Sequence, residues 1–124
     1  MNALIIEATD ETPSVVLDPA NNVFEFVGKS LPEDVTSFYG PVLDWFDQYG
    51  AEHNANTVVD FKLVYFNTAS SKLILDILFK LDELREKGAA ISVRWHFQDD
   101  DEDMKEAGEE YGDLVEMPFE LQNY

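Results

Sequence analysis

The chain has 124 residues, with 26 acidic and 8 basic side chains, a formal net charge of −18 and a pI near 4.1. That length suits a single domain over residues 1–124. Its 45% hydrophobic and 13% aromatic residues exclude an acidic disordered tail, because they supply enough apolar surface to offset chain entropy. Such a charge repels phosphate backbones and anionic headgroups, so neither nucleic acid nor direct membrane insertion is expected.

The absence of cysteine excludes disulfides, thiolate metal sites and a cysteine nucleophile. The opening MNALIIEATDETP has no basic stretch followed by a long apolar run, and Leu73–Leu84 is broken by Asp76, Lys80 and Asp82. A cytoplasmic domain is the resulting expectation.

Leu4–Ile6 and Val15–Leu17 read as short strands. Asp18-Pro19-Ala20-Asn21-Asn22 is a turn signal, and Val23–Val27 resumes as a strand, so the pair forms a β-hairpin. Pro32, Glu33 and Asp34 suit a helix start, and Val35, Phe38, Tyr39, Val42, Leu43, Phe46 and Tyr49 follow at helical spacing until Gly50. Pro41 inside that run predicts a kink. Thr57–Phe66 is rich in β-branched and aromatic residues and reads as a central strand. A helix follows from about Ser70 to Lys87, with Gly88 placed to cap it.

Ile91, Val93, Trp95 and Phe97 alternate with polar residues as a further strand. After the acidic run Asp99–Asp103 a short helix is expected over Asp103–Tyr111. Val115, Met117, Phe119 and Leu121 then predict an extended end. The order β-β-β-α-β-α-β-α-β implies an α/β sandwich, a mixed sheet with helices packed on it. Within it, the unit from Val58 to Phe97 forms a right-handed βαβ crossover.

The most informative segment is the turn Asn67-Thr68-Ala69-Ser70-Ser71-Lys72, between the best strand and the best helix. Chain leaving the carboxyl end of a parallel strand emerges where ligands and partners bind, and a helix start offers free N–H groups and partial positive charge to a phosphoryl group. A hydroxyl there is therefore a candidate phosphoacceptor. The plainer alternative makes Thr68, Ser70 or Ser71 only the N-cap. On a helical wheel Ile74, Ile77, Leu78, Leu81 and Leu84 face the sheet, while Thr68, Lys72, Leu75 and Phe79 fall together on another side. That stripe offers a partner surface, unless Leu75 and Phe79 pack on the helix Val35–Tyr49.

Asp99, Asp101, Asp103 and Glu110 match the first, third, fifth and twelfth positions of a calcium loop, but Met104 stands where glycine is required. A small metal-dependent enzyme or calcium site built on Asp99–Asp103, with His96 nearby, is thus one alternative function, and a constitutive scaffold is another. His53 lies in a polar loop, and Trp45 and Trp95 read as core. No nucleophile elbow, Walker loop or dinucleotide fingerprint is present, so no catalytic residue, metal or cofactor is assigned.

Several segments together carry a resemblance: Ile6–Thr9 with Thr12-Pro13, Ser30–Asp34, Pro41–Trp45, Tyr65–Lys72, Val93–Phe97 and Met117–Phe119. Over essentially its whole length the chain resembles the SiaC family of regulatory phosphoproteins, related in fold to the STAS-like anti-sigma-factor antagonists. The resemblance implies a non-enzymatic partner-switching protein. It implies that Thr68 is phosphorylated by a dedicated protein kinase and dephosphorylated by a PP2C-type phosphatase. It further implies that the unphosphorylated form activates a diguanylate cyclase, raising cyclic di-GMP and favouring aggregation or biofilm. Asn67, Ser70, Ser71, Lys72, Leu75 and Phe79 are the expected partner-binding neighbours.

Overall fold

The computed structural model describes residues 1–124. It contains strands β1 (Leu4–Ile6), β2 (Ser14–Asp18), β3 (Val23–Ser30), β4 (Thr57–Phe66), β5 (Ile91–Phe97) and β6 (Phe119–Asn123). Helices α1 (Val35–Tyr49), α2 (Thr68–Glu86) and α3 (Glu102–Leu114) alternate with the later strands. The six strands lie in sequence order in one sheet. The pairings β1–β2 and β2–β3 are antiparallel, and β3–β4, β4–β5 and β5–β6 are parallel. The sheet is therefore mixed, as its pattern of hairpin then strand–helix–strand units requires.

All three helices cover the same face. Along β3, β4 and β5, alternate residues are buried: Phe24 and Phe26, Val59 and Phe61, Ile91, Val93 and Trp95. Phe26, Phe61 and Trp95 are register partners across adjacent strands, with ring centroids 4.7 Å and 5.6 Å apart. From α1, Trp45 and Tyr49 pack on Phe24, and from α3, Tyr111 packs on Trp95. Helix α2 contributes Ile74, Ile77, Leu78, Leu81 and Leu84, the stripe read from its spacing. Trp95 reaches so close to α3 that a Cβ on Gly108 would collide with the indole, and its Nε1 donates to the Met104 carbonyl at 3.0 Å.

The opposite face of the sheet carries no helix. Its central row is polar: Glu25, Asp60, Arg94 and Glu120 are successive register partners.

Several boundaries differ from the sequence expectation. Helix α1 starts after Pro32 and Glu33, with the Asp34 carboxylate accepting from Ser37 N as its cap, and it continues through Pro41. Helix α2 begins at Thr68 rather than at about Ser70. Helix α3 runs past Tyr111 to Leu114, which delays β6 to Phe119; Val115 and Met117 are buried in the connection instead of in a strand. The hairpin turn is as read, with Asn22 in the left-handed region at φ 56°.

Candidate functional site: the N-terminal turn of α2

Strand β4 ends at Phe66, and one residue later α2 begins. Asn67 is the N-cap. Its backbone is extended, and its side-chain oxygen accepts from Ser70 N at 2.8 Å, while its own N–H donates to the Ser30 carbonyl at 3.1 Å. The capping role proposed for Thr68, Ser70 or Ser71 thus belongs to none of them. Asn67 was the better candidate chemically, because asparagine caps as well as serine and tolerates extended backbone at the junction.

Thr68 is consequently the first helical residue, exposed, with no hydrogen bond to its Oγ1. Its neighbours differ. Ser71 Oγ donates to the Thr68 carbonyl at 2.7 Å. Ser70 has no exposed surface, and its Oγ donates to the Ser30 carbonyl at 2.9 Å. Ser30 Oγ in turn donates to Ser70 Oγ at 2.9 Å and lies 2.5 Å from Tyr39 OH. Since a hydroxyl carries one proton, both serines have spent theirs and Tyr39 is the donor to Ser30. The result is a directed chain from α1 through β3 to α2, all of it buried.

Burial pushes the Tyr39 phenol up to about 12, although the Ser30 hydrogen bond opposes this, so it remains a donor at any physiological pH. On the other side, Tyr111 OH donates to the Ser71 carbonyl at 2.9 Å. The turn that presents Thr68 is therefore held from α1, β3 and α3 at once.

The wheel placed Thr68, Lys72, Leu75 and Phe79 on one side of the helix. Thr68 and Lys72 are exposed, Phe79 is 45% exposed, and Leu75 is half-buried against the core. The core thus covers part of Leu75 and leaves Phe79 largely free. Just upstream, Val64 and Tyr65 are also exposed, at 40% and 52%. Sequence reasoning missed Ser30, Tyr39 and Tyr111 as supports of the turn. Their partners lie up to 40 residues away, a separation at which local periodicity says nothing.

The acidic run does not form the loop that a calcium site needs. Asp101 caps α3 by accepting from Met104 N at 3.0 Å, and Asp103 and Glu110 already lie within the helix. With a rise of about 1.5 Å per residue, those two carboxylates are carried roughly 10 Å apart along the axis, so they cannot wrap one ion. No group of three His, Asp or Glu side chains converges as a metal site.

The enzyme alternative required a pocket joining His96 to Asp99–Asp103. His96 faces the open side of the sheet, its Nε2 2.8 Å from Asp60 Oδ1, in a depression lined by residues of β3, β4 and β5 and none of the acidic run. Arg94 makes a two-pronged pair with the same carboxylate, Nε to Oδ1 at 2.7 Å and Nη2 to Oδ2 at 3.0 Å. Burial would raise the Asp60 pKa, but hydrogen bonds and charge from Arg94 and His96 outweigh it and hold it below the ordinary carboxylate value. These three side chains are satisfied by one another. His53 is exposed, while Trp45 and Trp95 are buried as expected.

Comparison with known proteins agrees with this geometry. The chain is 33% identical over 122 residues to an uncharacterised protein of Pseudomonas aeruginosa (strain UCBPP-PA14), covering 98% of this chain and 97% of that one. It superposes on SiaC of Pseudomonas aeruginosa with a TM-score of 0.91 at 31% identity, all of both chains being covered. It matches equally, at TM-score 0.91 and 32% identity over 98% of this chain and 99% of the other, a chain in the crystal structure of the Pseudomonas aeruginosa diguanylate cyclase SiaD in complex with its activator SiaC. The model of the SiaC family regulatory phosphoproteins matches residues 6–124, and the chain belongs to that family.

Proposed function

We propose that this protein is a non-enzymatic partner switch whose state is set by phosphorylation of Thr68, and that its unphosphorylated form binds and activates a diguanylate cyclase in the cytoplasm. A protein kinase adds the phosphate and a PP2C-type phosphatase removes it. The observation that carries the reading is the free, exposed Thr68 hydroxyl at the first position of α2, in a turn whose other hydroxyls are already committed. The cyclase as output is supported by the likeness to a SiaC chain bound to its cyclase.

Phosphorylation adds about −1.5 to −2 charge at one point. The helix N-terminus accommodates that charge in the free protein, because the first N–H groups of a helix have no intrahelical acceptor. A partner surface shaped to cover a neutral threonine must instead desolvate the phosphate with no matching cation, which costs affinity. Two tenfold steps need only about 2.8 kcal/mol. No refolding is required.

The test is to titrate purified diguanylate cyclase from the source organism with unphosphorylated protein, with Thr68-phosphorylated protein and with Thr68→Ala, reading both affinity and cyclic di-GMP synthesis. Unphosphorylated protein and Thr68→Ala are expected to bind and activate, and the phosphorylated protein to lose at least a hundredfold in affinity. Equal binding by the phosphorylated form, or phosphate mapped in cells only to Ser71, defeats the proposal.

A further inference from the structure

We infer, on the partner-switch reading of Thr68, that a groove between the end of β4 and the start of α3 receives a lysine or arginine side chain of the cyclase. The groove has a volume of about 300 Å³. Its floor is apolar, made by Val64, Phe66, Met104 and Ala107, and its rim carries Asp101 and Asp103. An apolar channel ending in carboxylates fits an aliphatic stem with a cationic head, since lysine and arginine bury their methylenes and keep the charge at the surface. No cation of this chain fills that role: neither Asp101 nor Asp103 takes part in an ion pair, so both charges stay open to a cation from outside the chain.

The backbone is built to make this groove. Pairing of β4 with β5 ends at Phe61 and Trp95, so the last residues of β4 stand clear of β5, and the first turns of α3 wall the gap. On the other edge Gly28 pairs with Leu63 and Lys29 with Tyr65, leaving Val64 without a partner: a bulge. Bulges are uncommon between parallel strands and cluster beside functional sites, where they re-aim a side chain. Gly28, at φ 121°, holds a conformation that other residues resist. The consequence is that two consecutive apolar residues, Val64 and Tyr65, are exposed where strict alternation would bury one.

The groove also lies on the switch. Phe66 is two residues from Thr68, so their Cα atoms are no more than about 7.6 Å apart.

The experiment measures cyclase affinity by titration calorimetry at low and high salt for wild type, Asp101→Asn/Asp103→Asn and Ala107→Arg, with Asp113→Asn as control. Asparagine keeps the helix cap at residue 101, and unfolding curves verify that each variant is folded. The double variant is expected to bind about tenfold more weakly with a flatter salt dependence, as for loss of a charge contact. Ala107→Arg, which fills the floor with a cation of its own, is expected to weaken binding at least as much, and Asp113→Asn not at all. If the folded variants bind as wild type does, with Thr68 phosphorylation still abolishing binding, the groove inference is overturned and the switch stands. If unphosphorylated wild type does not bind the cyclase, both fall.

Discussion

Asn67 and Thr68 divide two tasks that one hydroxyl could have combined. Asn67 satisfies Ser70 N, so it bears the helix start; the Thr68 side chain makes no hydrogen bond and is free for modification. This separation is testable by stability alone. Asn67→Ala is expected to cost about 1 kcal/mol of unfolding free energy, the usual worth of an N-cap, whereas Thr68→Ala should stay within about 0.5 kcal/mol of wild type. Denaturant unfolding of the two variants checks it, and the reverse ranking would return Thr68 to a capping role. The same separation bears on phosphomimicry. Aspartate at position 68 carries one charge and a planar carboxylate, so Thr68→Asp is expected to weaken cyclase binding less than true phosphorylation does, as read from paired titrations.

At the scale of elements, α2 is held by groups that neither strand nor helix periodicity reveals. The chain from Tyr39 to Ser30 to Ser70 is fully satisfied and fully buried, so each hydroxyl fixes the orientation of the next. Tyr39→Phe removes the first donor without opening a cavity and is expected to cost about 1 kcal/mol. Faster amide hydrogen exchange at Ser70 and Ser71, with the middle of α2 unchanged, would locate that loss in the turn. The elements themselves were legible because their signals are local: the period-two run Ile91–Phe97, the buried stripe of α2 and the Asp18–Asn22 turn each declare themselves within a few residues. What was not legible depends on distance in sequence. Of Pro32, Glu33 and Asp34, it is Asp34 that caps α1, while Ser30 still belongs to β3 and is spent on the buried chain. Val115 and Met117 alternate like a strand but are buried because α3 continues to Leu114 and delivers them under its own end. The exposure of Thr68 was read correctly from its place after a strand, but the reason its neighbours are unavailable lay in Ser30 and Tyr39, whose positions only the tertiary fold brings near.

Over the whole molecule two electrostatic effects oppose each other. The net charge of −18 makes the compact state repel itself, and the ion pairs that offset this are mostly exposed and readily screened. Salt therefore distinguishes them: if self-repulsion dominates, the melting temperature at neutral pH rises with ionic strength, and this is the expected result. Acid separates them further. Asp82 is the clearest paired carboxylate. Burial would raise its pKa, but Arg85 and the N–H groups of Glu116 and Met117 overcome burial and lower it. A carboxylate lowered on folding stabilises the protein above its unfolded pKa, about 3.9, and this contribution disappears as the pH falls through the lower folded value. Asp82 also ties the α3–β6 connection to α2, so its loss would loosen the segment carrying Met117. Asp82→Asn is thus expected to be destabilising at pH 7 and progressively less so below about pH 4, since the wild-type side chain becomes neutral there as well. Urea unfolding of both proteins from pH 7 to pH 3 measures the difference. A gap between them that stays constant across that range would mean that the Asp82 charge contributes nothing and that the amide replaces its hydrogen bonds only by shape.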